Sequence, residues 1–167
     1  PHLMHDVFSE AAVLRMHVHT GSIAFPAITH GLDAISNVLV RQFGACYENV
    51  YTFCLERPHA HAPKFACRWL VCMSEKASGD VRVGCGRYDW IFGQHPRGLA
   101  TQLTINIETM LTLPPSQSTP VFEWLGMLGY PWTSAHDLAA SAPKIAALSP
   151  ILQYLQADAA RPTSVHA

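Results

Sequence analysis

Hydrophobic and polar residues alternate along four long segments in the middle of the chain. An alternation with a period of two predicts half-buried strands. The segments are separated by the short connections PHAHAP, ASGD and QHPR, which join antiparallel neighbours. We therefore predict an antiparallel meander over residues 46–57, 64–76, 81–93 and 99–113. In the second of these segments one face is apolar, and we expect that face to be the buried one.

The N-terminal part combines a short helical pattern with two further strands. Residues 1–10 predict the end of a helix, and residues 11–20 predict a strand. On this strand the apolar side chains Leu14, Met16 and Val18 lie opposite Arg15, His17 and His19. Residues 23–28 predict a short return strand, which Pro26 restricts to an edge of the sheet.

Helical spacing recurs once before the meander and again after it. Residues 32–43 carry apolar side chains at intervals of three and four, and Gly44 is expected to end this helix. After the sequence PPSQS at 114–118, helices are predicted over 119–129, 134–142 and 144–156. The last residues, 160–167, have the composition of a frayed end.

Composition narrows the range of functions. The 167 residues are enough for one domain, and they are 49% hydrophobic and only 14% charged. A formal net charge of −1 gives no basic field for nucleic acid or an anionic membrane, so we expect neither partner. The five cysteines lack zinc-type spacing, which favours free thiols in a reducing compartment and hence the cytoplasm.

Two motifs resemble those of a known family. The sequence FPAITHGLDAI at 25–35 and the sequence GRYDW at 86–90 resemble the SnoaL-like branch of the nuclear-transport-factor-like superfamily, which includes scytalone dehydratase, ketosteroid isomerase and polyketide cyclases. The resemblance implies an α+β fold in which a curved, antiparallel or mixed sheet wraps around helices in a cone. It covers residues 1–113, without the family's usual first helix. Residues 114–167 form a C-terminal helical extension, which we expect to lie across the open end of the cone or across a partner's sheet.

The strand at 81–93 carries the main candidate chemistry. Cys85, Arg87 and Asp89 share one face, and the rings of Tyr88, Trp90 and Phe92 share the other. The resemblance implies that the Cys85, Arg87 and Asp89 face lines the cavity. Asp89 would act as a base or water activator, and Arg87 would orient it or hold an oxyanion. The alternative is an ion pair that only braces the strand.

Further candidates lie on the neighbouring strands. His17 or His19 could serve as a second acid or base because histidine titrates near neutral pH, although solvated or core-satisfied histidines on an amphipathic strand are the more common case. The expected substrate-binding residues are Tyr51, Trp69, Cys85 and Asn106. Two H-x-H pairs, His17/His19 and His59/His61, raise a metal alternative, but no fixed-spacing metal motif supports it. We expect no metal and no cofactor.

Two classes of function follow. The first is a cofactor-independent lyase, isomerase or cyclase that acts on a small apolar or cyclic substrate. The second is a non-catalytic ligand-binding or assembly domain, or a small structural subunit like that of aromatic-ring dioxygenases, because a fold does not determine a function. The aromatic face of the strand at 81–93 would be a liability if it were exposed, so we expect a homodimer.

Overall fold

The computed structural model describes residues 2–94 and 98–157, so the frayed end predicted at 160–167 lies outside it. Within this part of the chain six strands form one open sheet in the order β2-β1-β6-β5-β4-β3. β1 and β6 are parallel and the other neighbours are antiparallel. The predicted α+β class with a mixed sheet is therefore confirmed. The strands are β1 Phe8–Val18, β2 Ile28–His30, β3 Tyr47–Cys54, β4 Lys64–Glu75, β5 Val81–Phe92 and β6 Ala100–Leu113.

The meander of β3 to β6 is confirmed, whereas the N-terminal prediction needs two corrections. The helix end predicted over residues 1–10 is a single 3-10 turn at Met4–Asp6, and β1 already begins at Phe8. It begins early because Phe8 pairs with Ala100 of β6 and is buried. The strand predicted at 23–28 is instead β2 at 28–30, at the edge of the sheet as expected.

The helix after β2 continues past its predicted end. It consists of α1 Leu32–Ser36, a π-helical stretch Asn37–Gln42, and α2 Phe43–Cys46. The prediction that Gly44 ends it is wrong, since Gly44 lies inside α2. Lys76 satisfies the carbonyl groups at the true end: its ammonium group donates to Gly44 O at 2.6 Å and its backbone N–H donates to Cys46 O at 2.9 Å.

Both faces of the sheet are covered in part. The face that carries Trp69, Tyr88 and Ile105 packs against α1 and the π-helical stretch through Ile35 and Val38. We call it the cavity face, because a cavity lies between it and these helices. The opposite face, the outer face, is covered by three C-terminal helices. These helices are α3 Ser118–Gly126, α4 Ala135–Ser141 and α5 Ser149–Gln156.

This arrangement corrects two predictions about burial. The C-terminal helices lie on the outer face of their own sheet, neither across the open end of the cone nor on a partner. They are held there because β4 and β5 are apolar on their outer sides as well, so the expectation of one buried face on 64–76 is wrong. The buried residues that β4 and β5 contribute to the contact with these helices are Leu70 and Cys72 on β4 and Val81, Val83 and Cys85 on β5.

Candidate functional site

A cavity of about 360 Å³ lies between the cavity face, the helical segment 32–46 and the loop after β1. Its volume is in the lower part of the range that small-molecule sites occupy. The wall is almost entirely apolar. It consists of Met4, Phe8, Met16, Ile23, Phe25, Leu39, Val40, Phe43, Val50, Thr52, Trp69, Val71, Tyr88, Trp90, Leu103, Ile105, Ile107 and Met110.

The polar groups of this wall are few. The hydroxyl groups of Thr52 and Tyr88 and the indole N–H groups of Trp69 and Trp90 are the only side-chain polar groups among the lining residues that the structure describes. Trp69 Nε1 is buried without a hydrogen-bond partner and is closed off from solvent-sized groups. Because these described lining residues include no carboxylate, histidine, lysine or arginine, the cavity offers no ionised group to a ligand.

Two glycines of β5 shape this wall. A Cβ atom on Gly86 would overlap the Asn106 carbonyl oxygen and lie 2.6 Å from Cζ2 of Trp69. A Cβ atom on Gly84 would lie 2.5 Å from the methyl carbon of Met110. The missing side chain of Gly86 therefore leaves room for the Trp69 indole to lie against β5, next to a register shift between β5 and β6, and that of Gly84 leaves room for Met110.

Aromatic rings continue the wall along the cavity face. The rings of Trp69 and Tyr88 are stacked, with their centroids 5.3 Å apart and an interplanar angle of 24°. Trp90 meets Tyr88 edge-on at 6.1 Å and contacts Phe8 at 5.7 Å. Burial raises the pKa of Tyr88, and the nearby thiols of Cys54 and Cys67 raise it further. The phenol is therefore neutral and a hydrogen-bond donor at physiological pH.

The predicted orientation of β5 is wrong. Arg87 and Asp89 lie on the outer face, where Arg87 Nε donates to Asp89 Oδ1 at 2.9 Å, and Tyr88 and Trp90 line the cavity. The side chains of Arg87 and Asp89 are 49% and 40% exposed. The physical reason is solvation, because an ion pair loses its hydration in an apolar cavity and keeps part of it where the outer face is not covered by the helices.

The other predicted catalytic residues are also away from the cavity. His17 of β1 is exposed and pairs in register with Asn106 of β6, which in turn pairs with Arg87. Asn106 Nδ2 donates to Asp89 Oδ2 at 3.3 Å. His19 is exposed just beyond the end of β1. The sequence thus identified residues that do meet, but on the outer face, and their catalytic roles stay predictions.

Of the four predicted substrate-binding residues, Trp69 lines the cavity and the other three do not. Asn106 belongs to the polar group on the outer face. Tyr51 packs edge-on against Phe122 and Tyr130, beside the C-terminal helices. Cys85 is buried in the outer core, where desolvation raises its pKa to about 12.

The sequence reasoning missed most of the cavity wall. Leu103, Ile105 and Ile107 of β6 alternate regularly, but alternation alone left open which of the two faces was the inner one. The signal that resolves it is pairing, since Ile105 is the neighbour of both Met16 and Tyr88. The register between strands that are distant in sequence cannot be deduced from any one segment. The sequence therefore did not show which face of β6 lines the cavity.

Neither a metal site nor a membrane span is found in the described segments. Among residues 2–94 and 98–157 no group of three or more histidine, cysteine, aspartate or glutamate side chains is arranged to hold a metal ion. In the same segments no helix has both the length and the apolar character needed to cross a membrane.

Comparisons with known proteins support the fold. No family model matches the sequence, and no curated protein matches it significantly. The chain is similar to a computationally designed 17-OHP binder, with 14% identity and a TM-score of 0.50 over 64% of this chain and 80% of that one. It is also similar to an NTF2-like protein of unknown function from Exiguobacterium sp. 255-15 (19% identity, TM-score 0.47, 64% and 80% covered).

A third similar structure is a hypothetical protein with a ketosteroid isomerase-like fold from Catenulispora acidiphila, in complex with trimethylamine. It shares 14% identity and a TM-score of 0.47 over 59% of this chain and 68% of that one. At these identities the likeness is one of fold, and at that level the resemblance seen in the sequence is confirmed.

Proposed function

We propose that this protein binds a small, neutral, largely apolar molecule in the cavity between the sheet and the helical segment 32–46. The observation that carries the proposal is the cavity itself, about 360 Å³ in volume and lined by apolar side chains. The designed 17-OHP binder supports it, because a protein of similar fold is described as a binder of a small molecule.

The composition of the wall determines the ligand's polarity. Burial of an ion without a partner of opposite charge is strongly unfavourable, and the described lining residues offer no such partner. Apolar surface on the ligand is removed from water at a gain of about 25 cal/mol per Å². A neutral molecule with a flat or rounded apolar body therefore fits the site better than an anion or a cation.

The catalytic alternative is less well supported by this geometry. Acid–base chemistry needs a titratable group within hydrogen-bond reach of the reacting atom, and Asp89, Arg87 and His17 lie on the other side of the sheet. Lyase, isomerase or cyclase activity at those residues stays a prediction. So does the alternative of an assembly domain or a structural subunit.

A cavity-filling variant tests the proposal against a matched control on the same strand. Ile105→Phe enlarges a side chain in the cavity wall, and Thr104→Val changes its neighbour, whose side chain points to the outer face. With fluorene as the probe, we expect titration calorimetry to show binding to the wild type and to Thr104→Val. Ile105→Phe should weaken binding at least about tenfold, a change of roughly 1.4 kcal/mol. Equal binding by all three proteins, or none by the wild type, would contradict the proposal.

A further inference from the structure

The hydroxyl group of Tyr88 has no hydrogen-bond partner among the described residues, although its ring is part of the cavity wall. Unlike Trp69 Nε1, it is not closed off from solvent-sized groups. Buried polar groups in folded proteins almost always find a partner, in the protein, in water or in a ligand. Among the residues that the structure describes, the phenol is thus a donor without a partner on the wall of an apolar cavity.

The surroundings of Tyr88 hold its ring in one place. Trp69 stacks on one side at 5.3 Å, and Trp90 meets the ring edge-on at 6.1 Å. Cys67 of β4 is the residue directly opposite in the sheet and is buried. A donor that is already ordered loses little conformational entropy when it binds, so its hydrogen bond contributes more fully to affinity.

We propose that the Tyr88 hydroxyl donates a hydrogen bond to an oxygen atom of the bound molecule, so that the ligands of this cavity are neutral apolar compounds with a carbonyl or ether oxygen. This inference rests on the proposed function, which requires only that the cavity bind apolar molecules. To that function it adds which side chain makes a polar contact with the ligand, and that the protein is the donor in this contact.

Two of the three other polar groups of the wall, those of Trp69 and Thr52, are weaker candidates for that contact. Trp69 Nε1 is inaccessible to a ligand atom unless the indole moves. Thr52 lies on β3, and its partner in the sheet is Val71, four residues along β4 from the residue that pairs with Tyr88. Its hydroxyl can also be solvated at the sheet edge, because β3 is the last strand.

A matched pair of probes tests the contact. Fluorene and 9-fluorenone have nearly the same shape and differ in one carbonyl oxygen. Each is titrated against the wild type, Tyr88→Phe and Thr52→Val by calorimetry, and the ratio of the two Kd values is compared between proteins. Tyr88→Phe keeps the ring, so the cavity wall and the stacking on Trp69 are preserved.

We expect Tyr88→Phe to reduce the preference for fluorenone about fivefold, within the range for one neutral hydrogen bond, and Thr52→Val to change it by less than about twofold. The carbonyl stretching band of bound fluorenone should lie at lower frequency in the wild type than in Tyr88→Phe. If both probes bind and Tyr88→Phe changes neither the ratio nor the band, the inference is overturned and the proposed function stands. If neither probe binds the wild type, both are overturned.

Discussion

At the scale of single residues, Gly86 decides how the cavity wall is built. Any side chain there would overlap the Asn106 carbonyl oxygen and press on the Trp69 indole. The carbonyl belongs to the backbone of β6 and cannot rotate away. The glycine therefore keeps β5 and β6 paired while the indole lies flat in the wall.

Gly86→Ala should destabilise the protein by about 3 kcal/mol, as overpacking in a rigid environment does. Gly44→Ala is the control, because a Cβ atom at this helical position meets nothing within 4 Å. We expect that variant to be stabilised by up to about 1 kcal/mol. Urea unfolding of both variants measures the difference, and equal free energies of unfolding would refute this account of Gly86.

The titration of Tyr154 in α5 makes the stability of the protein depend on pH in the alkaline range. Burial, followed by the charge of Glu108, raises its pKa to about 12 from the ordinary value of 10.0. Between these two values the unfolded chain releases a proton that the folded chain keeps, so the free energy of unfolding falls as pH rises. In Tyr154→Phe this decline should be shallower, as measured by urea unfolding at about pH 8 and about pH 11. Identical slopes for variant and wild type would contradict the assignment.

The sequence predicted correctly which side chains of β5 share a face, but not which of the two faces lines the cavity. Alternation correctly separated Arg87 and Asp89 from Tyr88 and Trp90, because neighbouring side chains of a strand must point to opposite faces. Which set faces the cavity depends on where the helices pack. That is a property of the whole sheet, and a single strand with one apolar and one charged face can be placed either way.

At the scale of elements, Arg68 connects the sheet to α5. Its guanidinium group pairs with Glu56 at 2.8 Å and donates to the carbonyl oxygens of Leu155 and Ala157 at the end of the helix. The Arg68 side chain is only 19% exposed. Cations at a helix C-terminus satisfy its free carbonyl groups and its dipole, so this contact both ends α5 and fixes it on the outer face.

Arg68→Met should cost about 3 kcal/mol of stability, since it leaves a partly buried carboxylate with only the backbone N–H of residue 68 as a donor and leaves two helix carbonyl groups without their cation. Arg41→Met is the matched control: it breaks an exposed ion pair with Asp33, where a change within about 0.5 kcal/mol is expected. Thermal unfolding compares the two, and amide hydrogen exchange should be faster in α5 of Arg68→Met alone. If the two variants lose the same stability, Arg68 does not hold the helix.

The elements themselves were largely predictable, since periodicity and turn residues are local signals. The long strands were found to within a few residues, and each of the three C-terminal helices was found in some form. The errors in the predicted bounds have physical causes. β1 starts at Phe8 because of its distant partner Ala100, and α2 continues through Gly44 because Lys76, far along the chain, satisfies the helix end.

At the scale of the whole molecule, one sheet separates two hydrophobic regions with different roles. Part of the outer face packs tightly against the C-terminal helices, with Trp124 fully buried and its Nε1 donating to Leu138 O at 3.1 Å. The cavity face is only partly filled. The aromatic rings that suggested a homodimer lie on the cavity face, so that reason for a dimer no longer applies, and the oligomeric state stays a prediction.

Removing residues 119–167 should yield insoluble or unfolded protein. The truncation would expose an apolar strip of the outer face, including Leu70, Val83 and Cys85, which are fully buried in the intact chain. Solubility after expression and size-exclusion chromatography measure the outcome. A soluble, monodisperse truncated protein with native strand content would show that the helices are dispensable for the fold.

The most direct test of the central claim is to locate the bound ligand. Methyl resonances are compared by NMR with and without fluorene, and they report separately on the two faces of the sheet. The account predicts that Met16, Ile105 and Met110 shift strongly, because their side chains line the cavity, and that Leu70 and Val83 on the outer face do not. Shifts confined to the outer face, around Asp89 and the C-terminal helices, would contradict it.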